Sequence, residues 1–372
     1  MQHIGIDLGA RESQVCIRNS ESEILDERRL ETRALELMFK TRPASRVVME
    51  TCAEAFRVAE MAKQAGHQVR VVPAALVRTL GVGARGVKTD IKDARVMSEA
   101  SCRLDVPTVH IPSLSARELR AMLCMRDMLI STRTQMINCA RGYLRGRLVR
   151  LKSGESETFG KRVREQLLED KEGMPTALER LLKMVESLNG QIKDADHELD
   201  ELTRSNAVCK LLMSAPGVGP VTSARFVAAV DEVKRFPNAH ALESYLGLTP
   251  GEDSSSAKLR RTGITKAGST ASRGALTQAC WAASIRYPHD PLVLWMKQVA
   301  QRTNKKKAIC AMVRKLAGVL YAMWRDNKPY NPLVLVRAAE KNLQGKTPPK
   351  SPMAARPTAQ LCEHAGEDAR MH

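Results

Sequence analysis

The chain has 372 residues, 43% of them hydrophobic, with 59 Lys and Arg against 41 Asp and Glu, so it carries a net charge of +18 and is large enough for two domains with real cores. Such a basic balance points to a polyanionic partner, nucleic acid first, and the absence of a signal peptide or an apolar run of about 18 residues argues against a membrane protein. A cytoplasmic protein is therefore expected, nucleoid-associated when bound to DNA. Aromatic residues make up only 3%, so the cores must use Leu, Val, Ala and Met. Nine cysteines, at 16, 52, 102, 124, 139, 209, 280, 310 and 362, form no C-x-x-C pair, so neither a zinc site nor a disulfide framework is indicated. They are expected to be reduced and mostly buried.

The chain opens on an apolar strand, His3-Ile4-Gly5-Ile6-Asp7-Leu8-Gly9, with one carboxylate inside it. A buried charge is costly, so Asp7 calls for a metal ion or a basic partner. Actin-like kinases and ATPases place an aspartate this way beside a phosphate loop, and RNase H-like nucleases place it as a metal ligand. The strand is read as continuing through residues 13–18, with residues 23–30 as its hairpin neighbour. A short helix over 35–40, a second buried strand over 46–50 ending on Glu50, a helix over 53–66 stopped by Gly66, and a third apolar strand over 68–73 follow. This β-β-β-α-β-α order suits a mixed sheet of RNase H type.

Gly81-Val82-Gly83-Ala84-Arg85-Gly86 matches G-x-G-x-x-G, but without the strand and helix that a dinucleotide fold requires on either side. A loop near phosphates is the better reading. A helix from about residue 88 to 103 carries Asp90 and Asp93 at i, i+3 spacing, on one face, where both could reach a metal. Taken alone, the pair is equally an N-cap and a first-turn acid that suit the helix dipole. With Asp7 and Glu50 on adjacent strands, four carboxylates would repel strongly without divalent cations, so a two-metal site is the economical reading.

Residues 115–202 read as long charged helices with coiled-coil spacing, a dimerising arm whose basic cluster, Arg141, Arg145, Arg147, Arg150 and Lys152, also touches nucleic acid. Met213-Ser214-Ala215-Pro216-Gly217-Val218-Gly219-Pro220, followed by a helix over 221–230, looks like a helix-hairpin-helix turn able to bind a DNA phosphate. From Ser254 to Arg325 there are fourteen Lys or Arg against a single acid, Asp290, which supplies +13 of the +18. Lys258, Arg260, Arg261, Lys266, Arg273, Lys305, Lys306 and Lys307 are its phosphate-contact candidates. Beyond about residue 343 the composition reads as a disordered tail.

Asp7, Glu50, Asp90 and Asp93, then Pro216-Gly217-Val218-Gly219-Pro220, Gly247-Leu248-Thr249-Pro250, the serines 254–256 and Ile264-Thr265-Lys266-Ala267-Gly268, stand in the order found in one known family. Over about residues 3–325 the chain resembles the DEDD-type insertion-sequence transposases of family one-hundred-and-ten, relatives of the pilin-gene invertases. The resemblance implies a RuvC-like, RNase H-like α/β domain (1–112), a helical coiled-coil connector (113–205), and a mainly α C-terminal domain with a nucleophilic serine (206–342), before the tail (343–372). It implies recombination through a serine–DNA link, with Mg²⁺ on the four acids, donor and target DNA as substrates, and a structured non-coding bridge RNA as guide. Homo-oligomers are implied too, a dimer and a synaptic tetramer, with a composite site drawn from two protomers. Alignment on Gly247-Leu248-Thr249-Pro250 puts the nucleophile at Ser255. The family's Ser-Ser-Gly is altered, since Ser256 stands where glycine is usual, and Ser254, Ser255 and Ser256 remain alternatives. Gly268-Ser269 likewise replaces the usual Gly-Asn. Two other classes fit the residues: a junction-resolvase-like nuclease using activated water, and a non-catalytic nucleic-acid-binding protein.

Overall fold

Short runs with β-branched residues give the strands β1 (His3–Asp7) and β2 (Glu12–Arg18), and the charged, largely exposed β3 (Ile24–Glu31) pairs at their edge. They are followed by α1 (Leu35–Lys40), β4 (Arg46–Glu50), α2 (Ala55–Gln64), β5 (Gln68–Val72), α3 (Ala74–Thr79) and α4 (Asp90–Arg103). The computed structural model describes residues 1–79, 89–103, 105–168, 173–252 and 261–334. The G-x-G-x-x-G stretch, the serines 254–256 with Lys258 and Arg260, and the tail lie outside them.

The five strands form one mixed sheet in the order β3-β2-β1-β4-β5, with β4 and β5 parallel to β1 and the first three antiparallel. One expectation is corrected: residues 13–18 do not prolong the first strand. The chain reverses between Asp7 and Glu12, and β2 returns beside β1 with Ile6 opposite Val15. Gly9 permits the reversal, because a Cβ there would sit 2.4 Å from the Glu12 carbonyl. The Thr32 hydroxyl donates to the Gly9 carbonyl at 2.6 Å and meets the Ser13 hydroxyl at 2.8 Å, closing the turn. Strand Arg46–Glu50 is thus the fourth, and Gln68–Val72 the fifth.

Period-2 alternation sends Ile4, Ile6, Val47 and Met49 to the face covered by α1 and α2, where Leu35, Phe39, Val58 and Ala59 complete a buried core. The other face receives α4. Its stripe of small residues, Ala94, Ser98 and Ser101, lies over β1, and His3 Nδ1 meets the Ser101 hydroxyl at 2.8 Å. Gly5 makes this approach possible: a Cβ there would fall 2.2 Å from the Ala94 carbonyl oxygen and 2.5 Å from the Ser98 nitrogen.

Beyond α4, the Val109 N–H donates to the Val71 carbonyl and the Thr108 hydroxyl accepts from the Val71 N–H, so this segment covers the β5 edge. Helices α5 (Leu114–Gly146), α6 (Phe159–Leu168) and α7 (Thr176–Ser205) then build an arm. Within the stretch read as long helices, α5 ends at Gly146, and α6 is an element that residue spacing did not separate. Buried Ala116, Leu119, Leu123, Ile137, Ala140 and Leu144 follow heptad spacing. Mid-seam the same spacing falls on Arg126 and Arg133, which are nearly buried and paired with Asp196 and Glu157.

The helices α8 (Ala207–Leu212) and α9 (Pro220–Val230) follow. Two compact units result: Met1–Cys209 with Pro220–Arg235, and Lys210–Gly219 with the chain from Phe236 onward. In the first unit Ala224 and Ala228 of α9 pack on Leu119, Leu123 and Leu199 of the arm. Asp231 ends α9 in a left-handed conformation (φ 60°). Its carboxylate, 6% exposed, accepts from the Ser113 hydroxyl at 2.5 Å and the Ser113 N–H at 2.9 Å and meets His110 Nε2 at 2.6 Å. Burial alone would raise its pKa, but the Ser113 donors and His110 outweigh it and hold the carboxyl below the usual range. Asp231→Asn is therefore expected to cost about 2 kcal/mol at neutral pH. Because the folded-state pKa is the depressed one, that stabilisation is complete above the ordinary carboxylate pKa of about 4 and is lost as pH falls through the folded-state value. Urea melts of both proteins at neutral and acid pH test this, and an equal gap at both would refute it.

The second unit contains α10 (Ala239–Tyr245), the antiparallel pair β6 (Pro250–Glu252) and β7 (Arg261–Ile264), then α11 (Thr270–Arg286), α12 (Pro291–Arg302) and α13 (Lys305–Asp326). Its core is aliphatic, with Leu242, Leu276, Leu292, Met312, Leu316 and Leu320 buried, and the Tyr321 hydroxyl donates to the Phe236 carbonyl. Ala215 and Val218 of the glycine turn are buried, and a Cβ on Gly217 (φ +76°) would strike the Ala279 carbonyl of α11. That glycine thus serves close packing of the turn against α11.

Candidate active site and nucleic-acid interface

Asp7 and Glu50 end neighbouring parallel strands, one step beyond the Ile6–Met49 pairing, so they stand side by side at the carboxyl edge of the sheet. Alternation gives them the parity of Gly5 and Val48, the face that α4 covers. Helix α4 runs against β1, with Ser101 at His3 and Ala94 at Gly5, so its first turn lies toward the same edge. Asp93 in that turn is 1% exposed, with both carboxylate oxygens buried, whereas Asp90 is exposed. The i, i+3 spacing thus splits into an inward and an outward acid. Thr89 caps the helix, accepting from the Lys92 N–H at 3.3 Å, and first-turn acids suit the positive end of the helix dipole.

Among the described residues no three His, Cys, Asp or Glu side chains come close enough together to hold a metal ion. Asp7, Glu50 and Asp93 share a face and an edge without closing a ligand shell. As donors, an all-carboxylate set fits a hard divalent cation rather than a soft one.

In the second unit β6 and β7 pair antiparallel as a hairpin, with Glu252 opposite Arg261, on either side of the serines in the sequence. Sequence reading treated this unit as mainly α and missed the hairpin, whose three- and four-residue strands are too short for alternation to register. The motif glycines clasp its base. A Cβ on Gly247 (φ +69°) would meet the Ala267 nitrogen at 2.5 Å, and one on Gly268 the Tyr245 carbonyl at 2.2 Å. Arg273 fastens the same turn, donating to the Leu246 carbonyl at 3.2 Å and the Gly268 carbonyl at 2.5 Å. Ser269, at the altered Gly-Asn position, caps α11 by accepting from the Ser272 N–H. Lys266 is exposed, in a left-handed conformation.

Lys305, Lys306 and Lys307 form the exposed first turn of α13, where the helix dipole disfavours cations. Lys305 lies 4.9 Å from the Trp281 ring centre and Lys315 4.2 Å from that of Trp295. Burial pushes the Lys315 pKa down. These lysine–tryptophan pairs went unremarked in the sequence, where tryptophans amid a basic stretch were the available signal. On the arm, Arg141 stacks 5.6 Å over the Phe159 ring, Arg145 is exposed, and Arg147 lies over Tyr143.

The described cysteines are all free thiols. Cys16, Cys209 and Cys280 are buried, but Cys124 and Cys139 on the arm are exposed, so "mostly buried" is corrected: both lie off the heptad seam. Burial pushes the Cys209 thiol up to about 11 and that of Cys280 to about 12, leaving both unreactive near neutrality. No described helix is long and apolar enough to cross a membrane.

Two family profiles match the chain. A DEDD transposase profile of the IS110 group matches residues 4–147, and one described as the transposase IS116/IS110/IS902 family matches residues 209–293. The chain is 25% identical over 333 residues to the transposase for insertion sequence element IS1111A of Coxiella burnetii, covering 88% of this chain and 90% of that protein. It is 26% identical over 331 residues to the transposase for insertion sequence element IS1328 of Yersinia enterocolitica (86% and 96%). It is 24% identical over 339 residues to a probable family 20 transposase of Pseudomonas aeruginosa (89% and 99%). A transposase domain of DEDD type suggests dependence on a divalent metal. With both profiles matched in chain order and relatives aligned along most of its length, the chain belongs to the IS110/IS116/IS902 family of insertion-sequence transposases, enzymes that cleave and rejoin DNA.

Proposed function

We propose that this transposase cuts and rejoins DNA through a covalent link to Ser255, assisted by the acids Asp7, Glu50, Asp90 and Asp93 of a RuvC-like, RNase H-like domain. The observation that carries the reading is the shared edge and face of Asp7, Glu50 and the α4 first turn. When bound, Mg²⁺ on these acids would favour the serine alkoxide and offset charge on the nonbridging oxygens. In the step itself the Ser255 oxygen forms a bond to phosphorus, one deoxyribose oxygen leaves and takes a proton, and the serine proton passes to a base. Rejoining reverses it with a new deoxyribose hydroxyl. Lys258, Arg260, Arg261 and Lys266 steady the phosphates, and Lys305–Lys307 and the arm arginines hold flanking nucleic acid.

The finer parts of the reading are a homo-oligomer with a composite site, a bridge RNA that supplies base recognition, and a coiled-coil arm for assembly. The +18 charge and the exposed Met125, Met128 and Met184 of the arm support them. The test is to denature a cleavage reaction on labelled donor DNA and look for protein-linked label. The intact chain should retain label and Ser255→Ala should lose it, with Ser254→Ala and Ser256→Ala retaining it. A free 5′-phosphate with no adduct would overturn the serine reading in favour of activated water.

A further inference from the structure

The far end of the arm carries a cleft of about 770 Å³ where α5 gives way to the segment leading into α6. Four cations, Arg141, Arg145, Arg150 and Lys152, line it together with apolar Leu148 and Leu151. Three other arginines of the arm are neutralised, Arg126 by Asp196, Arg133 by Glu157, and Arg164 by Glu179 and Glu186. None of the four cleft cations has a carboxylate partner among the described residues. Clustered like charges raise the free energy of the folded arm unless an anion joins them. Leu148 is 90% exposed and held at φ +60°, a conformation that a leucine side chain disfavours.

We propose that this cleft receives one unpaired nucleotide of a nucleic-acid strand, its phosphate held by the arginines and its base laid against Leu148 and Leu151. A free phosphate needs neither this volume nor an apolar lining. A duplex keeps its bases stacked inside and can offer the cleft only phosphates. Volume, apolar lining and cationic rim together suit a base with its phosphate, the pairing by which single strands are held. The inference rests on the nucleic-acid reading of the arm arginines and is independent of the serine chemistry.

The test is fluorescence anisotropy with the full-length Ser255→Ala chain, using labelled oligo-dT, oligo-U and a duplex of equal length. Arg145→Glu with Arg150→Glu, both at exposed positions, should weaken single-strand binding about tenfold or more. Leu148→Gly suits the left-handed backbone and so should fold at least as well. It should weaken single-strand binding several-fold and leave duplex binding unchanged. A larger loss for oligo-U marks RNA as the source of the nucleotide, and a larger loss for oligo-dT marks DNA. Equal loss on single strand and duplex in Leu148→Gly, no loss in either variant, or equal competition by polyglutamate would overturn the proposal. Since the assay runs without the serine, its failure leaves the adduct experiment untouched.

Discussion

Asp7→Asn and Glu50→Gln are each expected to reduce DNA strand cleavage by at least ~10³-fold, about 4 kcal/mol in the barrier, while DNA affinity and folding persist. Each change keeps the side-chain shape and removes one charge. The two carboxylates end adjacent parallel strands at the carboxyl edge of the sheet, so each change falls at the candidate site and not in the core beneath it. Loss of activity without loss of stability is the signature of acids kept for chemistry. Cleavage should also require added divalent metal, with the metal midpoint shifted upward in any variant that retains measurable activity. If both variants cut within about tenfold of the parent rate, roughly 1.4 kcal/mol, the four-acid reading is wrong.

Gly5→Ala should be the most damaging conservative change in the N-terminal sheet. The added methyl would lie 2.2 Å from the Ala94 carbonyl oxygen and 2.5 Å from the Ser98 nitrogen, both backbone atoms of α4, so the helix must lift from β1. Overpacking of this kind costs about 3 kcal/mol, which for a unit of this size is a fall of roughly 6–12 °C in melting temperature. Because α4 carries Asp93 toward the edge where Asp7 and Glu50 stand, cleavage should fall further than the loss of folded protein explains. Gly190→Ala in α7 is the control, with nothing within 4 Å of the added methyl. It should be neutral or stabilising by up to about 1 kcal/mol. Equal melting of the two variants would show that α4 is not seated on Gly5 as described.

Much of the N-terminal sheet was legible because its central strands are short apolar runs. Val47, Val48 and Met49 are wholly buried, and their β-branched, apolar character announces a central strand. The reversal after Asp7 was not legible, since Arg11, Glu12 and Ser13 interrupt the run without the Asn-Gly or Asp-Gly pair that marks a tight hairpin. The arm's heptads gave its helices but not its break, because Leu148, Val149 and Leu151 continue the apolar content after the helix has stopped at Gly146. Helix α9 was read with the C-terminal segment, yet its alanines pack on the arm. Small residues suit any close helix contact, and composition does not name the partner.

For the candidate site the division is similar. Residue type and spacing alone picked out Asp7, Glu50, Asp90, Asp93 and the basic stretches, because carboxylates on buried strands and +13 within one segment are costly unless something binds them, whereas the serine cluster drew its role from the family resemblance. Tertiary structure decided what each acid faces. Alternation and register bring Asp7 and Glu50 together under α4, and the bare backbone of Gly5 lets Asp93 turn inward while Asp90 stays in water. It also turned Arg273 from a free cation into the clasp of the serine hairpin, through carbonyls 27 and 5 residues away. The difference is physical: hydrophobic periodicity and charge are local properties that a sequence states directly, whereas the direction a side chain takes depends on which distant backbone lies close enough to receive it.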